Sequence, residues 1–187
     1  DGRPVIVSFW GSLGAAVVNR QMAEFLALEA GDGVPFHHIH GAGTVGCRQM
    51  GTYLAQAGAD LEKAPGLEVR EYIHDMGTLM RAADLVICRA GASTISELTA
   101  LGVPAIIVPS PNVAGDHQTY NARVLADAGG AVMIPEKDSS GRLLYDTARA
   151  ILTDDSRRRA MAQAMASLGT VDAAEKIYAA VMALRRR

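Results

Sequence analysis

Residues 85–98 read LVICRAGASTISEL, and three patterns follow one another within them. The apolar run Leu85–Cys88 predicts a buried strand, because it is short, continuous and interrupted at once by small residues. The break comes at Arg89–Gly91, after which Ile95 and Leu98 recur at helical spacing. The sequence therefore predicts a strand, a tight turn and the start of a helix.

The start of this helix is a candidate site for an anion. The first N–H groups of a helix have no partner inside it and lie at the positive end of its dipole. Ser93, Thr94 and Glu97 share one helix face, where hydroxyls suit phosphate oxygens and a carboxylate one turn deeper suits a sugar diol. This pattern predicts a nucleotide-sugar site. Close strand–helix packing and a capping hydroxyl would also account for the same residues.

Composition limits the class of protein. The chain has 187 residues, 49% of them hydrophobic and 20% charged, which predicts a single domain over residues 1–187. A net charge of −2 argues against a general nucleic-acid binder, which would carry a basic excess. Two cysteines are too few for a disulfide framework or a zinc site and favour a reducing compartment. The chain begins with Asp1 rather than Met, which suggests part of a longer protein.

A second strand–turn–helix pattern lies near the beginning of the chain. Residues 4–10, PVIVSFW, predict a strand, and GSLGA at Gly11–Ala15 opens a helix that runs to Ala30. Gly11 and Gly14 would let backbone approach a ligand, but the dinucleotide and P-loop fingerprints are both missing. Tight strand-to-helix packing stays open as the alternative explanation.

Three histidines in PFHHIH, residues 35–40, raise the question of a metal site. On the predicted strand, His38 and His40 face one side of the sheet and His37 faces the other. At most two therefore converge, and no carboxylate or cysteine cluster accompanies them, so metal binding is disfavoured. His40, at the carboxyl end of its strand, remains a candidate to line a cleft.

Further apolar runs at residues 67–72, 104–109 and 131–134 bring the predicted strands to six, alternating with helices. This order predicts an α/β fold, a three-layer, doubly wound, Rossmann-like parallel sheet with right-handed connections. Ligands collect outside the carboxyl ends of the strands in such sheets. The residues that follow strands one to five are therefore expected to converge on one candidate site. This convergence is the physical argument that the chain binds a ligand.

The stretch from Asp84 to Glu97, the following LGVPAIIVPSP, HQTYNA at 117–122 and the GSLGA motif resemble the donor-binding domain of the MurG family, glycosyltransferase family 28. The resemblance covers most of the chain. It implies the C-terminal half of a two-domain GT-B glycosyltransferase, with an N-terminal acceptor domain and its catalytic base absent from these residues. The implied reaction is inverting transfer of N-acetylglucosamine from UDP-GlcNAc to the muramyl lipid I acceptor, which forms lipid II in peptidoglycan synthesis. The implied enzyme is cytoplasmic, peripheral to the inner face of the plasma membrane, and needs neither a cofactor nor a metal.

The resemblance also implies roles for individual residues. Ile73, in EYIHDM, would read the uracil edge through its backbone, and Glu97 would bind the ribose hydroxyls. The family pattern has a pair of glutamines for the hexose where this chain has His117 and Gln118, a difference that bears on sugar specificity. The predicted substrate-binding residues are Gly11, Ser12, Leu13, Gly14, Ile73, Arg89, Gly91, Ala92, Ser93, Thr94, Glu97, His117 and Gln118.

Three other functions stay open from the sequence. The first is the cytosolic catalytic subunit of a dolichol-linked N-acetylglucosamine transferase, which resembles this half alone and recruits a membrane partner. The second is a nucleotide-sugar sensor or partner module that kept the fold without turnover. The third is a transferase for another hexose, such as an antibiotic or glycolipid glycosyltransferase. An acceptor half in the same reading frame would decide against the first, and the absence of a heat of binding with UDP-N-acetylglucosamine would indicate a purely structural module. Comparing UDP-glucose with UDP-N-acetylglucosamine would test the third.

Overall fold

The computed structural model describes residues 1–11 and 14–185, and every structural statement below concerns those residues. Six strands, all parallel, form one sheet. In chain order they are β1 (Val5–Phe9), β2 (His37–Gly41), β3 (Leu67–Arg70), β4 (Leu85–Cys88), β5 (Ala105–Ile107) and β6 (Ala131–Met133). They are short because Gly, Pro or polar residues follow each apolar run.

The helices alternate with the strands and then close the chain. They are α1 (Ala16–Gly31), α2 (Thr44–Ala57), α3 (Met76–Ala82), α4 (Ala92–Leu101), α5 (His117–Asp127), α6 (Gly141–Leu152), α7 (Asp155–Ser167) and α8 (Ala173–Arg185). Single 3-10 turns lie at Leu61–Lys63, Ala114–Asp116 and Glu136–Asp138. The predicted three-layer, doubly wound α/β architecture is confirmed.

Two apolar cores lie on opposite faces of the sheet. Successive residues of a strand point to opposite faces, so Ile6 and Ile87 pack with α1 and α6, whereas Val7 and Val86 pack with α4 and α5. Strands β4 and β5 are buried on both faces and therefore read as continuous apolar runs. Helix α7 contributes to both cores, since Met161 belongs to the first and Met165 to the second.

The order of the strands determines where a ligand can bind. The sheet runs β3-β2-β1-β4-β5-β6, so the chain winds outward from β1 to one edge and then returns to continue from β4 to the other. Phe9 of β1 lies beside Cys88 of β4. Loops that leave neighbouring strands in opposite directions open a crevice between them. The crevice lies where the two strand–turn–helix patterns of the sequence meet.

One boundary differs from prediction in a way that matters for the site. The glycine-rich composition of GAGTVG, residues 41–46, predicts a turn with a helix from about residue 48, but α2 begins at Thr44. Gly43 (φ 77°, ψ 161°) ends the extended chain. A Cβ on Gly46 would lie 1.9 Å from Nδ2 of Asn19, so glycine there lets the first turn of α2 pack against α1. Tertiary packing, which the local composition does not reveal, extends the helix.

Candidate functional site

Two cavities meet at the carboxyl ends of the central strands. The β3-side cavity has a volume of about 260 Å³, and the α4-side cavity has a volume of about 370 Å³. They share Phe9 and Gly11 at the end of β1. The β3-side cavity is lined by Phe9, Gly11, Gly41, Gly43, Glu71, Tyr72, Ile73, Met76 and Glu97. The α4-side cavity is lined by Phe9, Trp10, Gly11, Gly14, Ala15, Arg89, Gly91, Ser93, Thr94, Ser110 and Gln118.

The N-terminus of α4 opens into the α4-side cavity. Gly91 precedes the helix in an extended conformation (φ −69°, ψ 142°), and no described side chain caps it. The first amide to bond back is that of Ile95, 3.0 Å from the Gly91 carbonyl. The amides of residues 92–94 therefore have no acceptor within the helix, and Ser93 and Thr94 line the cavity beside them. This end of the helix can receive an anion without displacing a cap.

Glu97 and Ile73 line the β3-side cavity together. Glu97 is exposed, one turn below Ser93 on α4, so its carboxylate can accept hydrogen bonds from a hydroxylated ligand. Ile73 is buried, and its Cδ1 would lie 3.2 Å from a Cβ on Gly41. Tyr72, next to it, keeps 53% of its surface exposed at the cavity wall. The cavity thus combines an apolar floor with two acidic residues, Glu71 and Glu97.

Arg89 lines the α4-side cavity, but its guanidinium already has partners. Nη1 donates to the carbonyls of Val108 (3.0 Å) and Pro109 (3.2 Å), and Nη2 pairs with Glu136. The guanidinium carbon lies 5.8 Å from the centre of the Trp10 ring. Arg89 therefore ties the loop after β5 to the end of β4, and its predicted contact with substrate stays a prediction.

Gln118 and His117, at the start of α5, have different surroundings. Gln118 lines the α4-side cavity, where its Oε1 accepts the amide of Ser110 at 2.9 Å and its Nε2 remains as a donor. His117 lines neither cavity, and its Nδ1 donates to the Ala114 carbonyl at 2.9 Å. Asp116, before them, has a left-handed backbone (φ 51°), which turns the chain into α5. The role predicted for His117 in hexose binding remains untested.

The remaining predicted residues are readily placed. Gly11 (φ 87°) borders both cavities, and Gly14 (φ 74°) and Gly91 line the α4-side cavity. Ala92 is the exposed first residue of α4. Ser12 and Leu13 lie outside the described residues. The structure thus brings together every described residue of the predicted set except His117, with Ala92 contributing at the helix tip.

The hypothesis that His40 lines the cleft is wrong. His40 is fully buried beneath the end of β2, between Ser8 and Asn19. Burial, and after it the neighbouring His38, lower the pKa of His40 to about 3. The ring is therefore neutral at ordinary pH. Strand alternation correctly placed His38 and His40 on one face, but it could not show that α1 covers that face.

Neither a metal centre nor a membrane-spanning helix is found among the described residues. They contain no group of three or more His, Cys, Asp or Glu side chains placed to hold a metal ion. None of the helices within 1–11 and 14–185 combines the length and the apolar character needed to cross a bilayer. Cys88 is buried below the end of β4, where desolvation raises the pKa of its thiol to about 12.

Sequence reasoning missed several lining residues. Phe9 and Tyr72 fall within predicted strands, and Met76 and Ser110 are absent from the predicted set, although all four line a cavity. Gly41 and Gly43 follow the strand that was predicted to end at His40, although Gly41 is the last residue of β2, and both line the β3-side cavity. Their position after a strand, in a glycine-rich turn, was the available signal, because residues just past the carboxyl ends of parallel strands face the crevice.

Comparisons with known proteins support one family. Residues 5–177 match the glycosyltransferase family 28 C-terminal domain. A UDP-N-acetylglucosamine--N-acetylmuramyl-(pentapeptide) pyrophosphoryl-undecaprenol N-acetylglucosamine transferase from Acetivibrio thermocellus is 41% identical over 175 residues, covering 94% of this chain and 46% of that protein. The protein of the same name from Salinibacter ruber is 44% identical over 192 residues, covering 100% and 48%. The crystal structure of Acinetobacter baumannii MurG superposes with a TM-score of 0.80 at 29% identity, covering 95% of this chain and 51% of that one. The chain spans about half the length of the curated relatives it matches.

Proposed function

Because the chain belongs to glycosyltransferase family 28, as its C-terminal domain, we propose that it is the donor-binding half of an inverting N-acetylglucosamine transferase. The donor is UDP-GlcNAc, and the acceptor is the muramyl lipid I, which the reaction converts to lipid II in peptidoglycan synthesis. The names of the relatives from A. thermocellus and S. ruber support this choice of donor and acceptor. The complete enzyme is expected to be cytoplasmic and peripheral to the inner face of the plasma membrane.

The observation that carries the proposal is the meeting of the two cavities at Phe9 and Gly11. The β3-side cavity offers an apolar floor at Ile73 and the carboxylate of Glu97, which suit a nucleoside. The α4-side cavity offers the unpaired amides at the start of α4, which suit a diphosphate. A nucleoside joined to a diphosphate has these two parts in series, so one ligand can occupy both cavities.

In the proposed reaction, a hydroxyl of the acceptor attacks the anomeric carbon of N-acetylglucosamine on the side opposite the diphosphate. The new glycosidic C–O bond forms as the bond from the anomeric carbon to the phosphate oxygen breaks, which inverts the configuration. The hydroxyl proton passes to a base expected in the acceptor domain, and UDP leaves with the bonding electrons. The amides of residues 92–94 stabilise the negative charge that develops on the diphosphate, without a cofactor or a required metal.

The lining residues take roles that follow from their positions. The backbone at Ile73 contacts the uracil edge, and Glu97 accepts hydrogen bonds from the ribose hydroxyls. Ser93 and Thr94 add hydroxyl donors to the helix tip. Gln118, with its free Nε2, binds the hexose hydroxyls beside the diphosphate. The glycine turn that begins at Gly11 faces the acceptor.

The test is the affinity for UDP of the Glu97→Ala variant. Loss of a ribose contact should weaken UDP binding about tenfold or more, because a hydrogen bond to a charged group contributes roughly 1.5 to 3 kcal/mol. Ser96→Ala is the matched control, since Ser96 is exposed on the same helix, bonds only to the Ala92 carbonyl and lines neither cavity. Isothermal titration calorimetry of the wild type and both variants with UDP measures the effect.

Two outcomes would count against the proposal. An undetectable heat of binding for the wild type would remove the nucleotide from the site altogether. Equal affinities for the wild type and Glu97→Ala would remove Glu97 from the ribose, even if UDP still binds.

A further inference from the structure

A continuous chain of hydrogen bonds runs beneath the glycine turn through five fully buried side chains. Ser8 Oγ lies 2.8 Å from His38 Nε2 and 2.8 Å from His40 Nδ1. At one end, His38 Nδ1 lies 2.8 Å from Oε2 of Glu29 on α1. At the other end, His40 Nε2 lies 3.1 Å from Oδ1 of Asn19, whose Nδ2 donates to the Ala42 carbonyl at 2.9 Å. The chain crosses from α1 under β1 and β2 and returns to α1.

The amide of Asn19 fixes the direction of the hydrogen bonds. Its Nδ2 faces a carbonyl and must donate, so its Oδ1 accepts from a protonated Nε2 of His40. The neutral His40 ring then accepts at Nδ1 from the hydroxyl of Ser8, and Ser8 in turn accepts from Nε2 of His38. The remaining contact, between His38 Nδ1 and Glu29 Oε2, requires one further proton, carried either by the His38 ring or by the Glu29 carboxyl group. With that proton in place every contact pairs one donor with one acceptor, so the bonds reinforce one another along the chain.

The order Ser8–His38–Glu29 matches that of a hydrolytic triad, but it cannot act as one. All three side chains have zero exposure, so no substrate can reach the hydroxyl. Buried polar groups are costly unless their partners are in place, and apolar residues would fill the same volume more simply. A role in positioning other residues, rather than in catalysis, accounts for the presence of these buried side chains.

The Asn19 end of the chain holds two parts of the site's rim together. A Cβ on Gly14 would lie 2.0 Å from the Ala42 carbonyl oxygen and 3.1 Å from Nδ2 of Asn19. Gly14 therefore lies directly against the carbonyl that accepts the hydrogen bond of Asn19. Gly14 lines the α4-side cavity, and Gly43, one residue beyond Ala42, lines the β3-side cavity. A shift at Asn19 would move one wall of each cavity.

We propose that the Asn19 end of this chain, where His40 orients Asn19, sets the relative position of the two turns, with His40 as the positioning residue for a nucleoside diphosphate that spans both cavities. The inference rests on the proposed function for the identity of the ligand. His40 touches no ligand; it orients Asn19, which orients Ala42 and, through it, Gly14. Gly14, after β1, and Ala42, after β2, are thus kept in a fixed relative position by the hydrogen bonds beneath them.

Two substitutions at one position separate positioning from simple core packing. His40→Gln keeps an N–H near the position of Nε2, so it retains the bond to Asn19 and loses the bond to Ser8. His40→Asn keeps an acceptor near the position of Nδ1, so it retains the bond to Ser8 and loses the bond to Asn19. Each variant breaks one buried hydrogen bond, and both should lower the Tm. Only His40→Asn should weaken UDP binding, by about fivefold or more, as for a lost neutral hydrogen bond.

The measurements are UDP titration by calorimetry and the backbone amide spectrum of each folded variant. The expected result is a loss of affinity in His40→Asn, with shifted Gly14 and Gly43 amide signals, and nearly wild-type values in His40→Gln. Equal affinities and equal spectra in the two variants would overturn the proposal. If His40→Asn does not fold, Asn19→Ala takes its place and Ser8→Ala takes the place of His40→Gln, with the same expectations.

Failure of this inference can be told apart from failure of the proposed function. A wild type that binds UDP while both variants bind it equally well leaves the function standing and removes the positioning role. A wild type that does not bind UDP overturns the function. The amide signals then decide the positioning claim: it stands if only His40→Asn moves Gly14 and Gly43, and it falls if both variants or neither does so.

Discussion

The turns after β1 and β4 both connect a strand to a helix, but they pack on different kinds of side chain. Each joins one of two neighbouring parallel strands to a helix, and each contributes a glycine to the α4-side cavity. The turn after β4 stands on apolar side chains, since Cys88, Ala90 and Leu98 are fully buried in one core. In the turn after β1, Gly14 packs against the end of the buried hydrogen-bond chain at Asn19.

The two glycines show the consequence of this difference. Gly91 has an ordinary backbone (φ −69°), and a Cβ there would find its nearest neighbour at 3.8 Å. Gly14 has a left-handed backbone (φ 74°), and a Cβ there would meet a carbonyl oxygen at 2.0 Å. Gly91 leaves room for a ligand, whereas position 14 requires glycine because a carbonyl oxygen of the neighbouring turn lies against it. The same local pattern can therefore serve binding in one place and packing in another.

The largest expected effect comes from adding a methyl group to each glycine. Gly14→Ala should lower the free energy of unfolding by about 2 to 4 kcal/mol, because it combines a strained φ with a steric clash. Gly91→Ala should change it by less than about 1 kcal/mol, because its conformation already suits alanine. Urea denaturation of both variants measures the difference. Similar losses in the two would contradict the contrast between the turns.

A smaller effect is expected from pH. The pKa of His40 is lowered to about 3 in the folded state, so between that value and the ordinary 6.5 the unfolded chain binds the extra proton. The stability that this group contributes is therefore complete above pH 6.5 and is lost as the pH falls towards 3. Between about pH 7 and about pH 5 the loss should reach about 2 kcal/mol.

Unfolding free energies of the wild type and His40→Gln at these two pH values isolate this contribution, because the other titrating groups are common to both. The turn after β4 supplies the control. Burial raises the pKa of Cys88 to about 12, so its thiol is neutral throughout this range and Cys88→Ala should leave the pH dependence unchanged. A His40→Gln variant with the same pH dependence as the wild type would show that His40 does not titrate as described.

The contrast also explains which parts of the molecule the sequence predicted. The strand Leu85–Cys88 and the helix start after Gly91 were predictable, because periodicity and small residues act locally there. The convergence of Glu97 and Ile73 on one cavity followed from the rule that strand ends share an edge. Their roles in binding the ligand rest on family resemblance and remain predictions.

The parts that were not predictable depend on contacts between residues far apart in sequence. The pairing of Arg89 with Glu136 joins residues 47 positions apart, and no local pattern marks it. The hydrogen-bond chain joins Ser8 to His38 and His40, which lie 30 and 32 positions away. Because the sequence does not reveal these contacts, the position of His40 at the end of its strand wrongly indicated a residue of the cleft. The early start of α2 depends on Gly46 packing against Asn19. In each case a side chain from another element decides the environment.

A crystal structure of this chain with UDP tests the central claim most directly. We expect the diphosphate within hydrogen-bond distance of the amides of residues 92–94, the ribose beside Glu97 and the uracil against Ile73, with the ligand bridging both cavities across Gly11. A diphosphate bound away from the α4 N-terminus, for example in the groove lined by Val17, Gln21 and Lys137, would contradict it.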